Sequence, residues 1–144
     1  MTDTGAAPPN ILLPHPLPDD PIARTILIAL RRMAIGGLAD AHAATAMLGQ
    51  FGIGYRRPLM FLRILMQEVS RGATRSIAIA PSCCCRITEG EAAFLLLIDC
   101  ARAHPEVARA TLARSTGTLD CLPALAVAQA LGEALAELGR PLLL

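Results

Sequence analysis

Lysine is absent from this chain of 144 residues, and all thirteen of its basic side chains are arginine. That removes Schiff-base chemistry and the lysine of a phosphate loop. The arginine usage reads first as a coding bias and second as a choice for bidentate carboxylate or phosphate binding. Tryptophan is absent too, aromatics make up only 3%, and Tyr55 is the single tyrosine. Stacking platforms for bases are scarce, so the core must be aliphatic. The net charge of +1 gives no overall basic field toward nucleic acid or an acidic membrane. No apolar run reaches the roughly 18 residues of a spanning helix; the longest candidate, Ala92 to Ile98, is closed by Glu91 and Asp99. The stretch Met1 to Pro21 is acidic and proline-rich, not basic and then apolar as a secretory signal would be. Five cysteines are an odd number, three of them consecutive, which is not a secreted disulfide framework. Free thiols in a reducing cytoplasm are expected.

Catalytic signatures are missing in the same way. There is no H-E-x-x-H, no G-x-S-x-G, no Walker pattern and no C-x2-C pair, so no catalytic residue and no cofactor is expected. Gly49, Gly52 and Gly54 are spaced for a turn between helices, and no strand precedes them as a dinucleotide loop requires.

What the chain has is helix signal. Its apolar share is 53%, much of it alanine and leucine, which favour helix. Residues 1–20, with Pro8, Pro9, Pro14, Pro16 and Pro18, read as a flexible tail; Ile11, Leu12, Leu13 and Leu17 are its possible anchors on a groove. Residues 21–140 read as one helical domain. Asp19 or Asp20 caps a first helix, with Pro21 in its first turn. Its stripe is Ile22, Ile26, Leu30 and Met33, and Arg24, Arg31 and Arg32 lie off it. A thin-sided second helix spans about Leu38–Leu48. The third, from Arg57-Pro58 to Arg71-Gly72, carries Leu59, Leu62, Met66 and Val69 on one stripe, widened by Met60, Phe61, Ile64 and Leu65. A helix this apolar is central or half of an oligomer interface. Ser76 to Ala80 alternates like a strand, but a lone strand makes no sheet within the chain, so an irregular linker is expected over pairing with itself across a dimer. Thr88 and Glu91 form a capping box for a fourth helix reaching about Ala103. A fifth follows from Glu106 to about Arg114. A sixth runs from near Asp120 to Gly139, with Leu125, Leu131, Leu135 and Leu138 inward and Gln129, Glu133 and Glu137 outward. The expected fold is all-α: a compact bundle of about five to six helices with a disordered proline-rich N-terminal tail.

The one unusual local feature is Cys83-Cys84-Cys85, in a loop after Pro81 and just before a helix N-terminus that favours anions. These thiols, completed by Cys100, Cys121, His42 or His104, are the candidate metal ligands, although the spacing is unlike zinc or iron–sulfur sites. Cys100 and Cys121 are most simply core residues. His42, two residues from Asp40, falls on a different helix face. Arg31-Arg32 and Arg56-Arg57 read as solvated pairs or anchors for a partner's carboxylates. The second helix, its turn and the third helix have a helix-turn-helix outline, but Leu59 to Met66 offers almost no groove-facing polar side chain.

Arg31-Arg32-Met33, Ala39-Asp40-Ala41-His42-Ala43, Arg56-Arg57-Pro58-Leu59 and Ala80-Pro81-Ser82-Cys83-Cys84 resemble a small bacterial family of unknown function, over about residues 22–140. The resemblance implies no activity, substrate, cofactor or site residue. The leading expectation is an interaction or regulatory protein acting through protein contacts, as a homodimer, without nucleic acid. The alternative is a thiol-based redox or metal-binding protein using the Cys83–Cys85 loop. An apolar ligand pocket between helices and peripheral membrane contact are further readings.

Overall fold

The computed structural model describes residues 13–144. Among them are six α-helices: α1 (Pro21–Gly36), α2 (Ala41–Phe51), α3 (Arg56–Gly72), α4 (Glu89–Cys100), α5 (Pro105–Thr116) and α6 (Leu122–Glu137). A short 3-10 turn, Gly52–Tyr55, joins α2 to α3. The all-α bundle read from the sequence is the observed architecture.

The start signals work as their chemistry requires. Asp20 accepts the Ala23 amide at 3.2 Å and Pro21 opens α1. Asp40 accepts the Ala43 amide at 3.0 Å at the head of α2. The Thr88–Glu91 capping box of α4 is complete in both directions. Each cap is worth about 1 kcal/mol.

Packing is by helix pairs: α3 lies against α6, α1 against α2, and α4 against α5. Ile26, Leu27 and Leu30 of α1, Met47 of α2, Leu62 and Leu65 of α3, Leu95 and Leu97 of α4, and Leu131 and Leu135 of α6 are almost wholly buried. Each such side chain contributes roughly 1.5–3 kcal/mol of hydrophobic stabilisation. With so few aromatics, this aliphatic interior is the core. No helix among the described residues is long and apolar enough to cross a membrane.

Three departures from the sequence reading concern the edges, and Ser76 to Ala80 is not among them: it forms no strand, as expected of a lone candidate. Ile77 and Ile79 do turn inward while Ala78 stays exposed, so the alternation is real, but the segment lies on the bundle and not in a sheet. The only strand pairing among the described residues lies elsewhere: β1 (His15–Pro16) runs antiparallel to β2 (Arg86–Ile87), with His15 opposite Ile87. Residues 13–20 of the expected tail are held against the domain. Arg86 donates to the carbonyls of Leu13 and Pro14 at 2.8 Å, Arg24 donates to that of Pro18 at 2.6 Å, and Leu17 packs on the core. The anchors Ile11 and Leu12 lie outside the described residues. Leu138, expected inward, is 37% exposed because it follows the last turn of α6 and leaves the helical stripe.

Candidate functional site

The polar centre of the molecule is an ion pair that joins α1 to the start of α4. Arg31 is 3% exposed and Glu91 is fully buried. Arg31 Nε donates to Glu91 Oε2 at 2.7 Å, and Nη2 donates to Oε1 at 3.0 Å. Two of the three remaining guanidinium protons reach the carbonyls of Cys84, at 2.9 Å, and Arg86, at 2.8 Å. Glu91 also accepts the Thr88 amide at 2.9 Å and the Ala80 amide at 3.2 Å. Two charges buried without such bonds would be costly; here the donors and acceptors satisfy one another. The hydrogen bond to Glu91 pushes the Arg31 guanidinium above its ordinary value, against the opposing pull of burial.

The node fixes the chain on both sides of the cysteine run. Thr88 Oγ1 accepts the Glu91 amide at 3.0 Å and donates to the carbonyl of Ala78 at 2.7 Å. Residues 78–80 are thereby clamped to the first turn of α4. Gly90 makes this approach possible: a Cβ there would stand 2.7 Å from Ile77 Cγ2 and 3.1 Å from the Ala78 carbonyl. The linker so held forms one wall of an open groove of about 660 Å³ between α1 and α3. Its apolar lining includes Leu30, Met33, Leu38, Met66, Ile79 and Phe94, and Gln67 and Ser70 stand among the polar lining residues.

Arg31 therefore departs from its sequence reading. It lies off the main stripe of α1, yet it is neither solvated nor reserved for a partner, because its carboxylate comes from sixty residues away in the same chain. Arg57 likewise finds Glu137 on α6, and its guanidinium stands 5.7 Å from the Phe61 ring centroid. Asp40 precedes α2 as its cap and so reaches His42, which helix faces would have separated from it, at 3.8 Å, and it also reaches Arg32 of α1 at 3.7 Å.

The candidate metal ligands do not come together. Cys83 and Cys85 are exposed and Cys84 is half-buried, while Cys100 and Cys121 are buried and free. Burial pushes the Cys100 thiol up, as expected of a thiol packed among apolar groups. His104 is exposed at the head of α5, 3.8 Å from Glu106. Among the described residues, no three His, Cys, Asp or Glu side chains gather where a metal ion would sit. What the fold uses from the cysteine run is the Cys84 carbonyl, a group every residue carries. The helix-turn-helix outline is likewise absorbed by packing, since Leu59, Leu62, Leu65 and Val69 of α3 face the core.

A family model described as a family of unknown function, DUF6628, matches residues 9–140. No curated protein and no solved structure matches the chain.

Proposed function

The chain thus belongs to DUF6628, a family of unknown function, and from the geometry we propose that it is a helical interaction protein that pairs with a second copy of itself through the α1–α3 groove. One juxtaposition carries this reading. Ile35, on the last turn of α1, is 71% exposed, and its neighbours Ala34 and Gly37 line the groove. A large apolar knob beside an apolar hollow is what a two-fold contact needs, because each copy then fills the hollow of the other. Burying Ile35 would contribute roughly 1.5–3 kcal/mol in each half of the interface. Gln67 and Ser70 would serve as a polar rim. The five free thiols fit a reducing compartment, and the cytoplasm is where we place the protein.

Size-exclusion chromatography with light scattering tests the pairing. At tens of micromolar the wild type should elute at twice the 15.1 kDa chain mass, and Ile35→Asp or Met66→Arg should elute at the single-chain mass with an unchanged helical spectrum. A wild type that stays single under those conditions would overturn the proposal.

A further inference from the structure

The cysteine run hangs on the buried ion pair by its backbone and turns thiols to solvent. Pro81 accepts the Cys84 amide at 3.1 Å, which turns the chain at Ser82–Cys83. Cys83 and Cys85 are exposed, Cys84 between them is half-buried, and all three thiols are free. The backbone on either side of Cys85 is fixed from within, because Arg31 holds the carbonyl of Cys84 at 2.9 Å and that of Arg86 at 2.8 Å. Two residues of chain span at most about 7 Å, and the Cα atoms of a disulfide stand up to about 6.8 Å apart. A slight bend of the loop therefore lets Cys83 and Cys85 be bridged. The other pairings are less favoured. A bridge between adjacent cysteines would enclose a single peptide bond in its ring, which a planar trans peptide resists. Cys100 and Cys121 are buried.

We infer that Cys83 and Cys85 form a reversible oxidation site for hydroperoxides, and that the Cys84 carbonyl carries its state to the Arg31–Glu91 pair. The chemistry balances with hydrogen peroxide as the oxidant. The sulfur of one cysteine attacks a peroxide oxygen, the O–O bond breaks, and a sulfenic acid forms with loss of one water. The second sulfur then displaces the hydroxyl from the first, and the S–S bond forms with loss of a second water. The two thiol protons leave in these waters, and two electrons pass from the sulfurs to the peroxide. The ring so closed contains the Cys84–Cys85 peptide, whose carbonyl is the one bonded to Arg31. Drawing the two side chains together turns that carbonyl, and a hydrogen bond weakens steeply as it leaves alignment. A buried guanidinium proton that loses its acceptor is costly. The ion pair then loosens its hold on the amides of Ala80 and Thr88, both of which donate to Glu91. A transient, redox-sensing bridge is the usual form of a disulfide in a reducing compartment. The site does not depend on self-pairing.

The experiment treats the reduced full chain with a few equivalents of hydrogen peroxide, then denatures it, alkylates it and measures the intact mass. Before alkylation the oxidised wild type should be lighter by about 2 Da, the two hydrogens lost, and it should then take up three alkyl groups in place of five. Cys83→Ser and Cys85→Ser should each abolish the bridge. Cys84→Ser should keep it, because serine carries the same backbone carbonyl. Hydrogen exchange at the Ala80 and Thr88 amides should quicken roughly tenfold in the oxidised protein and return to its starting rate with dithiothreitol. Peroxide-treated Cys85→Ser should exchange at the reduced rate. Five alkylatable thiols after peroxide would overturn the inference. So would a product at twice the chain mass, a bridge that requires Cys84, or a bridge that forms with unchanged or slowed exchange at Ala80.

Discussion

Where α3 meets α6 the interior is aliphatic: Leu62, Leu65, Leu131 and Leu135 are all fully buried. Where α1 meets the start of α4 it is ionic, with Arg31 and Glu91 bonded to each other and to four backbone groups. The two regions do different work. Aliphatic contact is non-directional; it holds helices together and accepts side chains of similar volume. The ionic node is directional. It specifies where residues 78–80 and 84–86 run, and so gives the α1–α3 groove its second wall. A core of leucine alone would hold the bundle and seat Ile77 and Ile79, but it would not fix the path of the linker's backbone.

Substitutions can break this contrast. Glu91→Ala should be the most damaging, at about 3–5 kcal/mol by urea denaturation, because it leaves Arg31 buried without its charge partner. A loss below about 1 kcal/mol would erase the distinction between the two regions. Leu62→Ala should cost about 2–5 kcal/mol through the cavity it leaves. Leu62→Met, at less than about 1.5 kcal/mol, should show the tolerance of an aliphatic contact. The nearly isosteric Glu91→Gln should not share that tolerance, since it removes charge and changes no volume. Thr88→Ala should cost about 1 kcal/mol as a lost cap, and it should speed hydrogen exchange at the Ala80 amide as the linker loosens.

The smallest effect concerns a carboxylate outside both regions. Burial pushes the Asp99 carboxyl up, and Asp20 adds to the shift. Its favourable contribution is complete below the ordinary aspartate range and is lost as pH rises through its folded titration. Asp99→Asn should therefore melt slightly above the wild type at pH 7, by less than about 1 kcal/mol. The difference should vanish near pH 3. A variant less stable at pH 7 would show that the carboxylate is held by bonds that outweigh its burial.

The helices were legible because their signals are local. Caps at Asp20 and Thr88 and the stripes of α1, α3 and α6 depend on spacings of three or four residues, which a sequence displays directly. The cap at Asp40 is missed, because the sequence places the second helix from about Leu38 and α2 in fact starts at Ala41. Even half of the node was readable, since Glu91 was marked by its place in the capping box. Its other half was not. Arg31 meets Glu91 only after two helices and a linker have folded between them, and no periodicity encodes a contact across sixty residues. The ladder of His15–Pro16 with Arg86–Ile87 escaped for a related reason: two residues show no alternation, and one of them is proline. Three adjacent thiols are conspicuous in a sequence, whereas the group by which this run joins the ion pair is the Cys84 backbone carbonyl, which no sequence distinguishes. The groove is a property of helix placement, visible in sequence only as the excess apolar surface of α3.

A double-mutant cycle on Arg31 and Glu91 tests the organising role of the ion pair most directly. Arg31→Met and Glu91→Gln should each be strongly destabilising. The double variant should be hardly worse than the more damaging single, which gives a favourable coupling above about 2 kcal/mol. Losses that simply add, within about 0.5 kcal/mol, would contradict the view that these two side chains act as one structural unit.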